Sequence, residues 1–586
     1  MSGNPLRAGQ VLASPEFQRI LALPRAVMTD EAIATLTARM TAALKREAGT
    51  WRLRPVQARA LFALAEVGGL FGPMRVGAGK TLTSLLAAHV VDARRPLLLL
   101  PASLIEKTKI EMRELDQHWL LPRNVRMLSY QMLGRDGASG ELNKFQPDLI
   151  IADEVHKLKN RKAAVTRRVS RYMHDRPETK FVAISGSIMK GSIKDFAHIL
   201  EWCLKDGAPV PRKASEVDEW ADALDERLEQ EFKRLDPGPL LKFCTKEDFD
   251  EADGDDTRAA RRGFRRRLIE TPGVVATQNE QVDCKLRIRA LEYDVNAATM
   301  ENYTTLRTKW QTPDEWDLSM AAEVWRVSRE LSVGMHYTWN PRPPPEWRMA
   351  RKDWASYVRD VLSHSRTVDT EYQVRRQVMN GERTDEGVHI LATWQEQEPT
   401  FKVNSVPVWH DDSALKVCET WMRKGPGIVW TDHAYFAREL AKRTGARYFG
   451  EQGVDQKGEP IEKARPEDGA IIASVAANGT GRNLQAWRRG LVTAPPTGPD
   501  TWEQLLGRMH RDGQTSALVE FDVLLGCREH FQSWMNALSG AQATLETTGL
   551  SQKLLTADIV GFPDPDEIDD RSCARWGNVS REKSPV

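Results

Sequence analysis

Three short groups of residues carry types and spacings that can do chemistry. Gly77-Ala78-Gly79-Lys80-Thr81 sets two glycines ahead of a lysine and a hydroxyl. Glycines at 77 and 79 let backbone N–H groups turn inward, and a helix opening near Lys80 adds its positive end, which suits a cradle for phosphate oxygens. Lys80 would reach the outer phosphates and Thr81 would bind Mg²⁺. The strict phosphate-loop pattern asks for a glycine where Met74 stands, so only its shorter form is kept. Asp153-Glu154 follows the apolar run Leu149 to Ala152. One acid there can hold Mg²⁺ through water, and its neighbour can activate an attacking water. Gln504, Arg508 and Arg511 form the third group. Guanidinium forks neutralise charge that spreads over a transferred phosphoryl group. Taken alone, each group has a plainer reading: a chance glycine turn, a solvated acid pair, a solvated basic helix. Taken in this order they point to hydrolysis of ATP with Mg²⁺.

The elements that must position these residues follow an α/β pattern. Strands are expected at Gly69 to Met74, Pro96 to Leu100, Asp148 to Ala152 and Lys180 to Ser185, with an apolar helix from Lys80 to Val91. Alternating strands and helices argue for a parallel sheet covered on both faces. The chemical residues sit just after strands, where open α/β sheets place ligands. A second block of this kind runs over about 413–540, with strands at Gly427 to Thr431, Ala470 to Ser474, Gly490 to Thr493 and Ala517 to Val523.

Five segments are expected. Residues 1–50 form an N-terminal helical extension, with Ile33, Leu36, Met40 and Leu44 on one face of a helix. Residues 51–275 form the first lobe, with a charged helical insertion near 207–257. Residues 276–412 hold a linker strand at 285–295 and a helical insertion rich in tryptophan (Trp310, Trp316, Trp325, Trp339, Trp347, Trp354, Trp394). Residues 413–540 form the second lobe, and 541–586 a polar tail.

Bulk properties narrow the class. A length of 586 residues allows three to four domains, and 28% charged residues beside 41% hydrophobic ones mark a globular chain. Net charge is +1, so any nucleic-acid binding must use local patches. Six scattered cysteines lack metal-ligand spacing and suit a reduced compartment. No signal-peptide core opens the chain, and its longest apolar strand is far too short to span a bilayer.

At this point a resemblance emerges. The sequence is similar to superfamily 2 helicase-type ATPases, related to the DEAD/DEAH-box proteins, and most of all to the Swi/Snf branch of DNA translocases. Leu53-Arg54-Pro55-Val56-Gln57 resembles the family's opening motif, Leu100 to Ile105 its second, and Ser129-Tyr130-Gln131 the segment after it. Asp153 to Asn160 reads DEVHKLKN, close to a DEAH-like box. Ala477 to Leu484 resembles the glycine-rich motif, and Gln504 to Thr515 the last motif. The resemblance covers roughly 51–275 and 413–530.

It implies two RecA-like parallel-sheet lobes of a P-loop NTPase with helical insertions. Arg54, Gln57, Gly77, Ala78, Gly79, Lys80 and Thr81 would bind the nucleotide, with Gln57 on adenine. Thr81 and Asp153 would hold the metal, and Lys80, Asp153, Glu154, Gln504, Arg508 and Arg511 would carry catalysis, Arg511 as arginine finger. His156, Ser185 and Ser187 would couple hydrolysis to movement, although Ile188 stands where the family has proline. Gly479, Gly481 and Asn483 would touch DNA, with Asn478 and Arg482 in place of a usual glycine and leucine.

The expected function is ATP-driven movement along DNA, duplex favoured over single-stranded, in replication, recombination or repair. Replication or recombination proteins are expected partners, and the cytoplasm of a bacterium or phage-infected cell is the expected location. An RNA-stimulated helicase, a nucleic-acid-binding scaffold with a degenerate ATPase and a motor subunit serving a nuclease are the rivals. Two segments stay open. The run Arg258 to Arg267 suits either a nucleic-acid backbone or the acidic stretch Glu247 to Asp256 before it. The tryptophans suit a helical core, or stacking on unpaired bases.

Overall fold

The computed structural model describes residues 9–75, 77–186, 192–225, 234–277, 284–479 and 481–563. They divide into two units. The first comprises Met1–Glu280, Val358–Glu382 and Ser539–Gln552; the second comprises Gln281–Tyr357, Arg383–Leu538 and Lys553–Val586.

The first unit is built on β1 (Leu70–Pro73), β2 (Pro96–Leu100), β3 (Arg126–Ser129), β4 (Leu149–Asp153) and β5 (Lys180–Ser185). They form one sheet in the order β1-β5-β4-β2-β3, and every neighbouring pair is parallel. These strands are almost wholly apolar because both faces are covered. Alternate residues point to opposite faces. Leu70, Leu98, Leu100, Leu149, Ile151, Val182 and Ile184 meet the helices Pro55–Val67 and Lys80–Val90. Phe71, Leu97, Leu99, Ile150, Ala152, Phe181 and Ala183 meet the other face, with Val169, Leu200, Trp220 and Phe264 from later helices. The free edge of β1 is extended by Gly273 to Thr277, through Phe71 N to Gly273 O (2.8 Å), Val275 N to Phe71 O (3.0 Å) and Thr277 N to Pro73 O (3.0 Å).

The second unit holds β6 (Lys285–Glu292), β7 (Met335–Trp339), β8 (Ser405–Trp409), β9 (Ile428–Thr431), β10 (Tyr448–Phe449), β11 (Ile471–Ser474), β12 (Arg489–Val492), β13 (Leu518–Leu525) and β14 (Asp558–Val560). Seven of them form a parallel sheet, β10-β11-β9-β12-β13-β6-β14. The α/β class with parallel sheets is therefore present in both units. β6, expected as a linker strand, is instead a full member of this sheet, paired along its whole length with β13. β7 and β8 pair antiparallel, although three helices separate them in sequence.

The segment boundaries also differ from those expected. The N-terminal stretch is no separate extension: Phe17 and Ile20 join the first unit's core, and the Phe17 ring lies 5.4 Å from that of Phe243. In the second helix Leu36 and Leu44 are buried, as the spacing predicts. The stretch 207–257 shares the same core through Val210, Val217, Trp220 and Phe243, because its helices carry an apolar stripe beneath their charge. The tail is divided: residues 539–552 belong with the first unit, while β14 closes the second sheet.

The arginine run lies on the helix Asp256–Ile269 and is spent on the protein itself. Arg258 and Arg261 bind Glu546 at 3.0 and 2.7 Å, Arg266 binds Asp248 at 2.8 Å, and Arg262 binds Glu251. Arg267 donates to the carbonyls of Leu23 (3.0 Å) and Pro24 (2.7 Å). The tryptophans are packed as well. Trp316 meets Trp339 edge-on, Trp339 meets Trp347, and Trp347 meets Trp394 at a centroid distance of 5.7 Å. The described cysteines are free thiols, and no helix among the described residues is long and apolar enough to cross a membrane.

One carboxylate ties an inserted segment to the first unit. The side chain of Asp369 is fully buried and meets Arg168 at 3.1 Å and Arg171 at 2.5 Å, both on the helix Ala164–Asp175 that follows β4. Arg167 and Arg171 also donate to carbonyls between Leu362 and Arg366. Removing one partner of such a pair strands the others without a counter-charge. Asp369→Asn is expected to cost about 3–5 kcal/mol, read as a fall in the urea midpoint; a shift equivalent to under about 0.5 kcal/mol, typical of an unconstrained surface site, would refute the clamp.

Candidate active site

β1 ends at Pro73, and Met74 N still donates to Ser185 O at the end of β5 (2.9 Å). Arg75 N donates to the Thr277 hydroxyl (3.1 Å). The chain then turns through Gly77 (φ +96°) and Gly79 (φ +77°), conformations that favour glycine. Gly79 caps the helix Lys80–Val90, whose first N–H groups therefore face the loop.

The helix Pro55–Val67 holds this loop from the side. Arg54 N donates to Gln57 Oε1 (2.8 Å), and Gln57 Nε2 donates to Gly79 O (3.0 Å). The Arg54 guanidinium donates to Gly77 O (2.5 Å). Arg54 and Gln57, expected to contact nucleotide, are thus engaged with the loop's own carbonyls. A Cβ on Gly79 would fall 2.2 Å from Gln57 Nε2, so the two residues fit only while position 79 has no side chain.

β4 delivers Asp153 and Glu154 beside the loop. Lys80 Nζ lies 3.4 Å from Glu154 Oε1. Glu154 adopts a left-handed backbone (φ +56°), which turns its side chain away from the strand direction, and its N–H donates to Asp153 Oδ1 (3.0 Å). The second oxygen of Glu154 accepts from the Ser185 hydroxyl (3.1 Å), and Ser185 Oγ lies 2.9 Å from His156 Nδ1. Lys80, Glu154, Ser185 and His156 therefore form one connected chain across the ends of β1, β4 and β5. Burial, then the neighbouring charge of Glu154, pushes the Asp153 carboxyl up to about 7. The lysine opposes this shift but does not cancel it.

Asp153 is buried at the strand end, its carboxyl stays raised despite Lys80, and Thr81 adds a hydroxyl in the first helical turn. The donor set fits a hard cation such as Mg²⁺, which keeps several water or phosphate oxygens and needs few protein ligands. Among the described residues no group of three or more His, Cys, Asp or Glu could hold a metal on side chains alone.

Two contributors were not singled out from the sequence. Tyr130 is buried and donates its hydroxyl to Asp153 O (2.7 Å), fixing the main chain of the acid pair from β3's side. Burial, then the charges of Asp153 and Glu154, hold its hydroxyl protonated well above the ordinary range. Thr277 anchors the loop at Arg75. The signal for Tyr130 lay in Ser129-Tyr130-Gln131, noted above for its resemblance alone; Thr277 has no local signal.

The remaining expected residues belong to the second unit. The helix Pro499–Leu506 ends at Gly507, so Arg508 and Arg511 follow it and do not lie on a solvated helix. Arg508 is buried and donates to Gln504 O (2.7 Å) and Arg482 O (3.1 Å). Gln504 is buried; Arg511 is half-exposed. In the glycine-rich segment Asn478 is buried and donates to Phe449 O (2.9 Å), while Arg482 binds Glu462 (2.9 Å) and Gln452 O (3.0 Å). The two departures from the family pattern thus brace the loop after β10. Gly481 takes a positive φ of 73° and Asn483 is exposed. Ser187 lies outside the described residues.

No protein-family model matches the chain, and no curated protein matches it at a significant level.

Gly79→Ala forces an unfavourable left-handed backbone, costing about 1–2 kcal/mol before the clash with Gln57 is counted. Urea denaturation of Gly79→Ala is expected to show at least that loss, and adding Gln57→Ala should return only the share due to the clash. Full stability in Gly79→Ala would contradict the locked loop.

Proposed function

We propose that the chain is an ATP hydrolase whose hydrolysis drives movement along DNA, with duplex favoured over single strands, and that its two units are RecA-like lobes of a P-loop NTPase. The observation that carries this reading is the convergence of Lys80, Asp153, Glu154 and Ser185 at the ends of neighbouring parallel strands, directly beside a glycine loop that opens a helix. Loop-held backbone N–H groups and a helix N-terminus suit phosphate oxygens, and a lysine at the first helical position suits the outer phosphates.

Within that reading each residue has a task. The loop N–H groups and Lys80 bind and orient the triphosphate. Glu154 receives the proton of the attacking water, at a carboxylate held by Ser185. Thr81 and Asp153 would hold Mg²⁺, which when bound offsets phosphate charge and so favours the ionised Asp153. Arg508 and Arg511 supply the cations of the hydrolysis step, a role resting on their resemblance to the last family motif. The chain Glu154–Ser185–His156 links the water-activating carboxylate to the end of β5, in keeping with the coupling role that the resemblance gives His156 and Ser185.

ATP turnover measured with duplex DNA, single-stranded DNA and RNA tests this directly. Duplex DNA is expected to stimulate most. Lys80→Ala and Glu154→Gln are each expected to lose at least ~100-fold in kcat, the scale of a lost electrostatic or general-base contribution. Wild-type turnover in Lys80→Ala would overturn the hydrolase assignment, and stimulation by RNA alone would move the protein from DNA to RNA.

A further inference from the structure

We infer that the tryptophan-rich part of the second unit is a nucleic-acid backbone surface, formed by Arg348, Arg351 and Lys352 on the outer side of an aromatic wall. The inference rests on the reading above, that the chain moves along DNA, and names a contact outside the motif residues.

The helix Pro345–His364 carries three separate stripes over its first part. Trp347, Ala350 and Trp354 are buried and form the inner one. Arg348, Arg351 and Lys352, at spacings of three and four residues, share an exposed stripe. Glu346 and Asp353, seven residues apart, lie on a third. The charges are therefore sorted by face.

The arginines are set in place by rings. The Arg348 guanidinium carbon lies 4.6 Å from the Trp316 ring centre. That of Arg351 lies 5.4 Å from Trp339 and 5.2 Å from Trp347. Arg342 approaches Trp316 at 5.6 Å from the preceding segment and donates to Asp314 O (2.5 Å). Among the described residues no carboxylate is within ion-pair distance of Arg348, Arg351 or Lys352. This contrasts with the run at 258–267, where arginine after arginine is matched to an acid or a carbonyl.

Two consequences follow. At Trp316, Trp339 and Trp347 a guanidinium lies over the ring and other rings pack on its edges, which argues against these three as open platforms for unpaired bases. A guanidinium held over a ring by cation–π attraction keeps its charge and its N–H donors for an oxyanion, and its fork suits phosphate. Several such cations in a row fit a grip on a polyphosphate backbone.

Fluorescence anisotropy of a labelled mixed-sequence duplex, titrated with salt, reads this out. Each phosphate contact contributes about 0.9 to the slope of log K against log salt, so Arg348→Gln/Arg351→Gln should flatten the slope by about 2 and weaken binding about tenfold near physiological salt. Lys352→Gln touches no ring contact and should flatten it by about 1, which keeps the test alive if the double variant does not fold. Duplex binding with an unchanged slope in Lys352→Gln and in a folded double variant overturns the arginine surface and leaves the ATPase reading standing. Failure of the wild-type protein to bind duplex overturns both.

Discussion

Two carboxylates side by side at the end of a buried strand are expensive, and the first unit is arranged around that cost. Asp153 has lost most of its water, and Glu154 adds a like charge next door. Burial and that like charge push the Asp153 carboxyl up to about 7. Three contacts brace the pair: the Lys80 ammonium on Glu154, the Ser185 hydroxyl on its other oxygen, and the Tyr130 hydroxyl on the Asp153 main-chain carbonyl, which holds the backbone. Each partner sits at the end of a different parallel strand or the helix after one. Parallel strands bring such ends to one edge, and the strand order sets β5 and β4 side by side. The Asp153 carboxyl stays raised in spite of Lys80, and under the proposed reading a hard cation would supply the balancing charge.

Much of this arrangement was legible because the local physics is strong. Pro96 to Leu100 and Lys180 to Ser185 read as buried strands since a strand covered on both faces must be apolar at successive positions. Gly77 and Gly79 read as a loop since both occupy conformations that cost other residues energy. The arginines after Gly507 were read from their motif, and Arg508 is buried on the carbonyls of Gln504 and Arg482.

What was not legible depended on partners far away in sequence. β3 is half-buried and begins with an arginine, and β14 is a three-residue exposed edge; neither shows the apolar run of an inner strand. β7 and β8 lack a hairpin turn because three helices intervene. β6 read as a linker since its partners, β13 and β14, lie more than two hundred residues away. The same limit applied to the arginine run: its composition fits phosphate or acid equally well, and the deciding acids, Asp248 and Glu546, flank it in space but only one does so in sequence.

The two arginine-rich stretches show how composition becomes meaning only through neighbours. At 258–267 the guanidinium groups face carboxylates and carbonyls, so their charge is consumed in holding the first unit together. At 348–351 they face indole rings, which orient a cation without neutralising it. The first pattern converts charge into stability and the second conserves it for something outside the protein. With a net charge of only +1 the whole chain exerts little long-range attraction on a polyanion. Under the proposed DNA reading, a surface of cations held over rings without a neutralising acid is where affinity for a phosphate backbone would be concentrated.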